Sequence, residues 1–182
     1  DQVAERQTRG GALLQRVGPQ AADVTQYTYD GMGRVLSVSG PSRDGTTPNL
    51  SLTSYDDANG KTTHTLANGL TTISTFDNAG RLISITQQNS GGTALGTTSY
   101  FYDADGNLLM EQDPTGVRHW MLYDAAGRKV ADIDSAGALV EYAYNANGQV
   151  VQAIAYATSV PTDQLVDAQG QPIAVPLSEL RP

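Results

Sequence analysis

One short phrase recurs six times along this chain of 182 residues: an aromatic ring, Asp or Asn, two or three small or polar residues, and Gly. Successive rings lie 26, 21, 26, 21 and 21 residues apart. Self-similarity at a period of about 20–50 residues is typical of a repeat architecture. A residue that recurs in every repeat is better suited to joining repeats than to performing chemistry at one place. The six copies comprise Tyr29, Asp30 and Gly33; Tyr55, Asp56 and Gly60; Phe76, Asp77 and Gly80; Tyr102, Asp103 and Gly106; Tyr123, Asp124 and Gly127; and Tyr144, Asn145 and Gly148.

Each copy of the phrase predicts a β-hairpin. Side chains alternate between the two faces of a strand, so Tyr142 and Tyr144 share one face, which we expect to line the core. The Asp after the ring can accept hydrogen bonds from the backbone two residues on, and Gly tolerates a positive φ. A second strand follows the Gly, as at residues 81–85. In the second copy Gly60 follows its ring by five positions rather than four, which indicates a one-residue insertion in that turn.

The hairpins predict an all-β fold, a repeat meander of stacked antiparallel β-hairpins that forms a curved, spiralling sheet. A lone hairpin is marginally stable in water, so stacking of neighbours must supply the stability. We expect residues 1–157 to form this repeat region. It starts mid-repeat, because residues 1–6 resemble the second half of a copy. Residues 158–182 contain Pro161, Pro172, Pro176 and Pro182 and are expected to be a divergent end or a linker.

Composition excludes several classes of function. The net charge of −8 disfavours nonspecific binding to nucleic acid, which requires Lys and Arg to neutralise phosphates. The chain contains no Cys, so it has neither disulfides nor thiolate metal ligands. No apolar run approaches the roughly 18–20 residues of a membrane-spanning helix. We therefore expect no nucleic-acid partner, no membrane insertion and no cofactor.

The pattern Tyr-x-Tyr-Asp-x-x-Gly-Arg-Leu/Val, repeated at this spacing, resembles the YD repeats of the bacterial Rhs family over roughly residues 1 to 157. Related repeats occur in the C components of Tc toxins and in teneurins. The resemblance implies a spiralling β-sheet that closes as a hollow shell, made from more repeats than this chain holds. In many members the shell encloses a toxin. The chain is thus expected to be a non-catalytic segment of a larger secreted or surface protein, partnered by the rest of its parent and an enclosed effector. The alternatives are a carbohydrate-binding surface and a self-processing protease segment.

Two segments superficially resemble specialised sites. In the Rhs family, self-cleavage occurs around an Asp-Pro-x-Gly-Leu element, and Asp113-Pro114-Thr115-Gly116-Val117 departs from it at Val117 and in lacking an upstream Pro. Asp-Pro-x-Gly is also a good β-turn, which is the interpretation we favour. The stretch from Asp103 to Asn107 resembles the start of a calcium loop but lacks its distal ligands, so we expect a turn there too and no metal.

The remaining candidates are single side chains. His64 and His119, the only histidines, lie in strand-like runs without a catalytic motif, so they are expected to be structural or at the surface. Trp120, the only Trp, should share a strand face with Phe101 and is the one candidate ligand contact, since an exposed ring can stack on a sugar. The interpretation we favour is that Trp120 packs beneath a neighbouring loop or faces the lumen. In three copies an Arg follows the turn Gly: Arg34, Arg81 and Arg128. We expect these side chains to pair with Asp of adjacent hairpins or to cover the Tyr rings.

Overall fold

The computed structural model describes residues 5–6, 14–17, 24–40 and 48–181. It divides into two compact units, Asp1–Leu95 and Gly96–Pro182. Most of the half-repeat expected at the start lies outside the described residues. The strands are β1 (Glu5–Arg6), β2 (Leu14–Val17), β3 (Val24–Tyr29), β4 (Val35–Ser39), β5 (Asn49–Asp56), β6 (Lys61–Leu66), β7 (Thr71–Phe76), β8 (Leu82–Gln88), β9 (Ala94–Tyr102), β10 (Leu108–Gln112), β11 (Arg118–Tyr123), β12 (Lys129–Ile133), β13 (Leu139–Tyr144) and β14 (Val150–Ala155).

The predicted all-β meander is confirmed within each unit. Strands β1 to β8 pair antiparallel in sequence order, as do β9 to β14. A 3-10 helix (Thr162–Leu165) and α1 (Leu177–Leu180) are the helices of the described residues. No helix among those residues has the length and apolar character needed to cross a membrane.

The six phrases form the hairpin turns. In five of them the strand register shifts beside the motif ring, as between Thr28 and Tyr29, and the turn Gly has a positive φ. A three-residue loop that ends in a left-handed Gly is a common hairpin connection that produces this bulge. The β5–β6 hairpin keeps an unbroken register through the pair Asp56↔Lys61. The extra residue in that turn therefore replaces the bulge.

The buried core lies in the second unit, on the face opposite the Tyr side chains. Strand pairing aligns five residues across β9 to β13 in one row: Phe101, Met110, Trp120, Ile133 and Leu139. Four of these side chains are 0–5% exposed. The motif tyrosines of this unit are only half-buried. The expectation that the Tyr pairs line the main core is therefore wrong for this unit.

Residues 156–181 cover the apolar row, and we call them the cap. Val160, Leu165 and Leu180 of the cap are buried against it. The backbone N–H of Val160 donates to the carbonyl of Gly137 at 2.8 Å. This segment, expected to be a divergent end or a linker, packs on the sheet and supplies three of the eight buried residues of the core cluster.

The first unit has a different composition on the corresponding face. Facing away from its rings are cross-strand hydroxyl pairs such as Thr28–Ser37 at 2.6 Å and Thr65–Thr71 at 3.1 Å. Among the described residues of this unit, no apolar side chain is buried. Its described strands are therefore held mainly by backbone pairing and polar cross-strand contacts.

Candidate functional site

The Asp of each phrase holds its own turn closed. Oδ1 of Asp30 accepts hydrogen bonds from the backbone N–H groups of Met32 and Arg34, both at 2.9 Å. The backbone N–H of Gly33 donates to the Asp30 carbonyl at 3.1 Å. Three other copies repeat the paired side-chain bonds at 2.9–3.0 Å, at Asp77, Asp124 and Asn145. Each of these side-chain oxygens already accepts two backbone N–H groups of its own turn. The recurring Asp or Asn therefore serves to form the turn.

The turns between hairpins use the same device. Side chains at Asn89, Asp113, Asp134 and Asp167 each accept N–H groups two and four residues on, at 2.8–3.0 Å. Residues 167–170 form one more turn of this kind, which lacks a ring.

The Arg after the turn Gly joins one repeat to the next. Nε of Arg34 donates to Oδ2 of its own Asp30 at 2.7 Å. Its other two nitrogens donate to both oxygens of Asp57 in the next hairpin, at 2.7 and 2.9 Å. The guanidinium carbon lies 3.9 Å from the centroid of the Tyr55 ring. Both predicted roles, pairing with an adjacent Asp and covering a ring, thus occur at one side chain.

The ring of the next repeat reaches back to the same place. The Tyr55 hydroxyl donates to the carbonyl of Val35, the residue after Arg34, at 3.2 Å. In the second unit the Tyr144 hydroxyl donates to the carbonyl of Lys129 at 2.6 Å, and Arg128 lies 4.9 Å from the Tyr144 centroid. We call each Arg–Tyr pair, Arg34–Tyr55 and Arg128–Tyr144, the inter-repeat clamp. Only its Arg was predicted; the hydroxyl bond to the preceding repeat was missed, because the carbonyl acceptor carries no sequence signature.

The Arg of each clamp and the Asp that it contacts stabilise each other's charge. Backbone and side-chain hydrogen bonds from Arg34 hold the pKa of Asp30 below its usual range, and Arg128 does the same to the pKa of Asp124. Hydrogen bonding to Asp57 and Asp30 raises the pKa of Arg34 further above its usual value. These pairs are solvent-exposed, and exposed pairs of this kind orient side chains more than they stabilise a fold.

The two histidines occupy different surroundings. Nδ1 of His64 lies 3.0 Å from the Thr53 hydroxyl across the β5–β6 pair. Nε2 of His119 lies 3.4 Å from Oδ1 of Asp132, which is too long for a well-formed hydrogen bond. The other oxygen of Asp132 accepts from the Tyr142 hydroxyl at 2.7 Å and pairs with Lys129 at 2.8 Å. No group of three metal-ligating side chains occurs among the residues that the structure describes.

The segment that superficially resembles a cleavage element is a hydrogen-bonded turn. Oδ1 of Asp113 accepts from the backbone N–H and hydroxyl of Thr115 and from the N–H of Val117, at 2.7–2.9 Å. These bonds lower the pKa of Asp113, the largest cause being the Thr115 hydroxyl. A carboxylate with three donors is held as a turn-forming acceptor.

The candidate ligand contact at Trp120 needs correction. Trp120 is 5% exposed, and the cap covers its ring. Because stacking on a sugar requires an open ring face, the basis for a carbohydrate contact at this residue is lost. The sequence indicated that Trp120 shares a face with Phe101 but not that residues about 40–60 positions later, such as Val160 and Leu180, would cover it.

Comparison with known proteins supports the resemblance. Residues 55–94 match the family model of the RHS Repeat. The crystal structure of TcdB2-TccC3-Cdc42 aligns with 80% of this chain at 15% identity and a TM-score of 0.61. That of TcdB2-TccC3-TEV aligns with 74% at 22% identity and a TM-score of 0.58. The chain spans only 9% and 8% of those chains, so the likeness concerns the fold. No curated protein matches the chain.

Proposed function

We propose, since the chain resembles Rhs/YD-repeat proteins in both motif and fold, that it is a non-catalytic structural segment of a larger toxin-associated protein. Its repeats encase or present an effector carried by the same parent. The main support for this proposal is that the motif side chains bind other parts of the repeats. At the clamps the Asp, Arg and Tyr polar groups bind their own turn or the neighbouring repeat, as at Arg34 and Tyr55.

The interior chemistry supports a wall rather than a reaction site. The apolar row of the second unit is covered by the cap, and the first unit presents paired hydroxyl groups. We place the repeat region at residues 1–157 and assign residues 158–182 to a divergent end or a linker, most of which forms the cap.

The location follows from the same proposal. A segment that carries an effector acts outside the cell that makes it, either as a secreted protein or on the bacterial surface. Fractionation of cells that make the parent protein tests this, and recovery of the chain in the cytoplasm alone would contradict it.

Protease protection in the parent protein tests the encasing role. The parent is compared with a variant carrying Tyr55→Leu and Tyr144→Leu, which removes both clamp rings. We expect the effector of the unaltered parent to resist protease and that of the clamp variant to be cleaved at a lower protease concentration. Tyr27→Leu serves as a control, because Tyr27 is no member of a described clamp. An effector equally sensitive in all three proteins would overturn encasing, and normal effector delivery without residues 24–155 would overturn presentation as well.

A further inference from the structure

The extra residue in the β5–β6 turn leaves one backbone N–H without a partner. In the other five copies of the phrase, the N–H of the turn Gly donates to the carbonyl of the Asp or Asn that begins the turn, at 2.9–3.2 Å. In the longer turn Asn59 takes that place and donates to the Asp56 carbonyl at 3.2 Å. The N–H of Gly60, the next residue, has no hydrogen bond to any residue that the structure describes. The insertion thus frees a peptide nitrogen directly after an Asn side chain.

The chain holds three Asn-Gly pairs, and each of them follows an Ala: Asn59-Gly60, Asn68-Gly69 and Asn147-Gly148. All three Asn residues are exposed. The N–H of Gly69 donates to the Leu66 carbonyl at 2.8 Å, and that of Gly148 donates to the Asn145 carbonyl at 3.0 Å. The three pairs are therefore alike in local sequence and in exposure of the Asn, and they differ in whether the Gly N–H is hydrogen-bonded.

Asn-Gly is a chemically labile pair, because Gly places no side chain beside the reacting atoms. The Gly nitrogen loses its proton and attacks Cγ of the Asn. A bond forms between that nitrogen and Cγ, the Cγ–Nδ2 bond breaks, and Nδ2 leaves as ammonia with the proton. Water then opens the five-membered imide at either of its carbonyl groups, which gives Asp or isoaspartate. A Gly N–H that donates to a carbonyl must give up that bond before its nitrogen can react.

We propose that Asn59 is a site of spontaneous modification, at which the folded chain converts Asn to Asp or isoaspartate faster than at its two other Asn-Gly pairs. The Asn59 amide donates from Nδ2 to Oδ2 of Asp56 at 2.7 Å. This bond involves the leaving nitrogen and does not cover Cγ, the carbon under attack. The site is independent of the proposed wall function.

Modification acts on the attachment of this turn to the next hairpin. A carboxylate at position 59 replaces the donor to Asp56 by a like charge. Isoaspartate also adds a methylene group to the backbone beside Gly60, whose carbonyl accepts the Phe76 N–H of β7 at 2.7 Å. Conversion of Asn59 is therefore expected to weaken this contact between neighbouring repeats.

The unaltered chain supplies its own matched controls. It is kept in mildly alkaline buffer, either folded or unfolded in guanidinium chloride, and peptide mass spectrometry follows the three Asn residues over time. In the folded chain we expect Asn59 to react about two- to tenfold faster than Asn68 and Asn147, as for one hydrogen bond that need not be broken. The three rates should converge in the unfolded chain. Equal rates in the folded chain, or the same order in the unfolded one, would overturn the proposal.

Two variants exchange the turn lengths. Deletion of Asp57 gives the second copy the spacing of the sixth, so the Gly60 N–H should regain a carbonyl and Asn59 should slow to the rate of Asn147. Insertion of an Asp between Asn145 and Ala146 is the reciprocal change and should speed Asn147 by the same factor. Circular dichroism establishes that each variant is folded. Unchanged rates in a folded variant would overturn the role of the extra residue.

Hydrogen exchange tests the consequence for the neighbouring repeat. The Phe76 amide hydrogen should exchange faster in chain whose Asn59 has reacted than in fresh chain. The amide of Asp113, which donates to the Val117 carbonyl at 2.9 Å in the second unit, is the control and should not change. Unchanged exchange at Phe76 would overturn the weakened contact, and equal acceleration at both amides would mean a general loss of structure instead.

Discussion

The Tyr144 hydroxyl donates to the backbone carbonyl of Lys129 at 2.6 Å and so ties one hairpin to the turn of the one before it. Arg128, which precedes Lys129, lies 4.9 Å from the same ring. Equivalent contacts join Tyr55 to Val35 and Arg34. The recurring ring therefore acts between repeats, while the recurring Asp acts within one.

Loss of that hydroxyl should be measurable alone. Tyr144→Phe keeps the ring but leaves the Lys129 carbonyl without this donor, so we expect unfolding free energy to fall by about 1 kcal/mol. Urea denaturation followed by circular dichroism measures the change. Tyr29→Phe is the matched control, since the Tyr29 hydroxyl has no hydrogen bond to another residue that the structure describes. A fall of the same size in both variants would mean that the Lys129 contact contributes nothing specific.

The hydrogen bonds within the turn predict different effects for two substitutions of Asp124. Asp124→Asn should retain most of the melting temperature, because Asn145 already performs the same two hydrogen bonds in another copy. Asp124→Ala removes the acceptor for the N–H groups of Ala126 and Arg128 and should lower the melting temperature clearly. Differential scanning calorimetry decides the order. If Asn proves as damaging as Ala, the charge rather than the turn geometry matters at this position.

Docking of the cap depends on Gly137. Its φ is +81°, and a Cβ added there would lie 2.2 Å from the carbonyl oxygen of Val160. Gly137→Ala should therefore displace the cap and shift Trp120 emission to longer wavelength as the ring meets water. Gly148→Ala is the control, because that residue has a φ of +76° with no atom within 4 Å. It should cost about 1–2 kcal/mol for the left-handed backbone without altering Trp120 emission. Identical spectra for the two variants would contradict the docking role.

Acid should loosen the end of the cap through Glu141. Its carboxylate accepts from Nε of Arg181 at 2.9 Å and from the Tyr156 hydroxyl at 2.7 Å, and hydrogen bonding from Arg181 lowers the pKa of Glu141. A lowered folded-state pKa means that this stabilisation is complete above the unfolded pKa. It is lost as pH falls through the folded value, below the model-compound value of 4.5.

The melting temperatures of the unaltered chain and of the Glu141→Gln variant are measured from pH 7 down to pH 3. The other carboxylates titrate in both proteins, so the difference between the two curves isolates Glu141. We expect the unaltered chain to be more stable at pH 7 and the curves to converge in acid. A difference in melting temperature that stays constant from pH 7 to pH 3 would show that the charge of Glu141 does not hold the end of the cap.

The sequence predicted the parts of this fold that are local. Ring, Asp and Gly within five residues determine each hairpin, and the extra residue before Gly60 was visible as a spacing. The core was not predictable in the same way. Met110, Ile133 and Leu139 lie in short strands, two of them beside other apolar residues (Leu109 and Val140), and only the register aligns them in one row. The contact of Glu141 with Arg181 spans 40 residues and involves a Pro-rich segment without periodicity. Long-range packing therefore determines which face of the sheet is buried and that Trp120 is buried with it.

The central claim is that the phrase couples neighbouring repeats, and a double-mutant cycle on Arg128 and Tyr144 tests it most directly. Arg128→Met, Tyr144→Leu and the double variant are compared by urea denaturation, with Tyr142→Leu replacing Tyr144→Leu in a parallel cycle. Tyr142 contacts Asp132 and Lys129 instead. We predict a coupling free energy of about 0.5–1 kcal/mol for Arg128 with Tyr144 and additive effects with Tyr142. Additivity in both cycles would contradict the account.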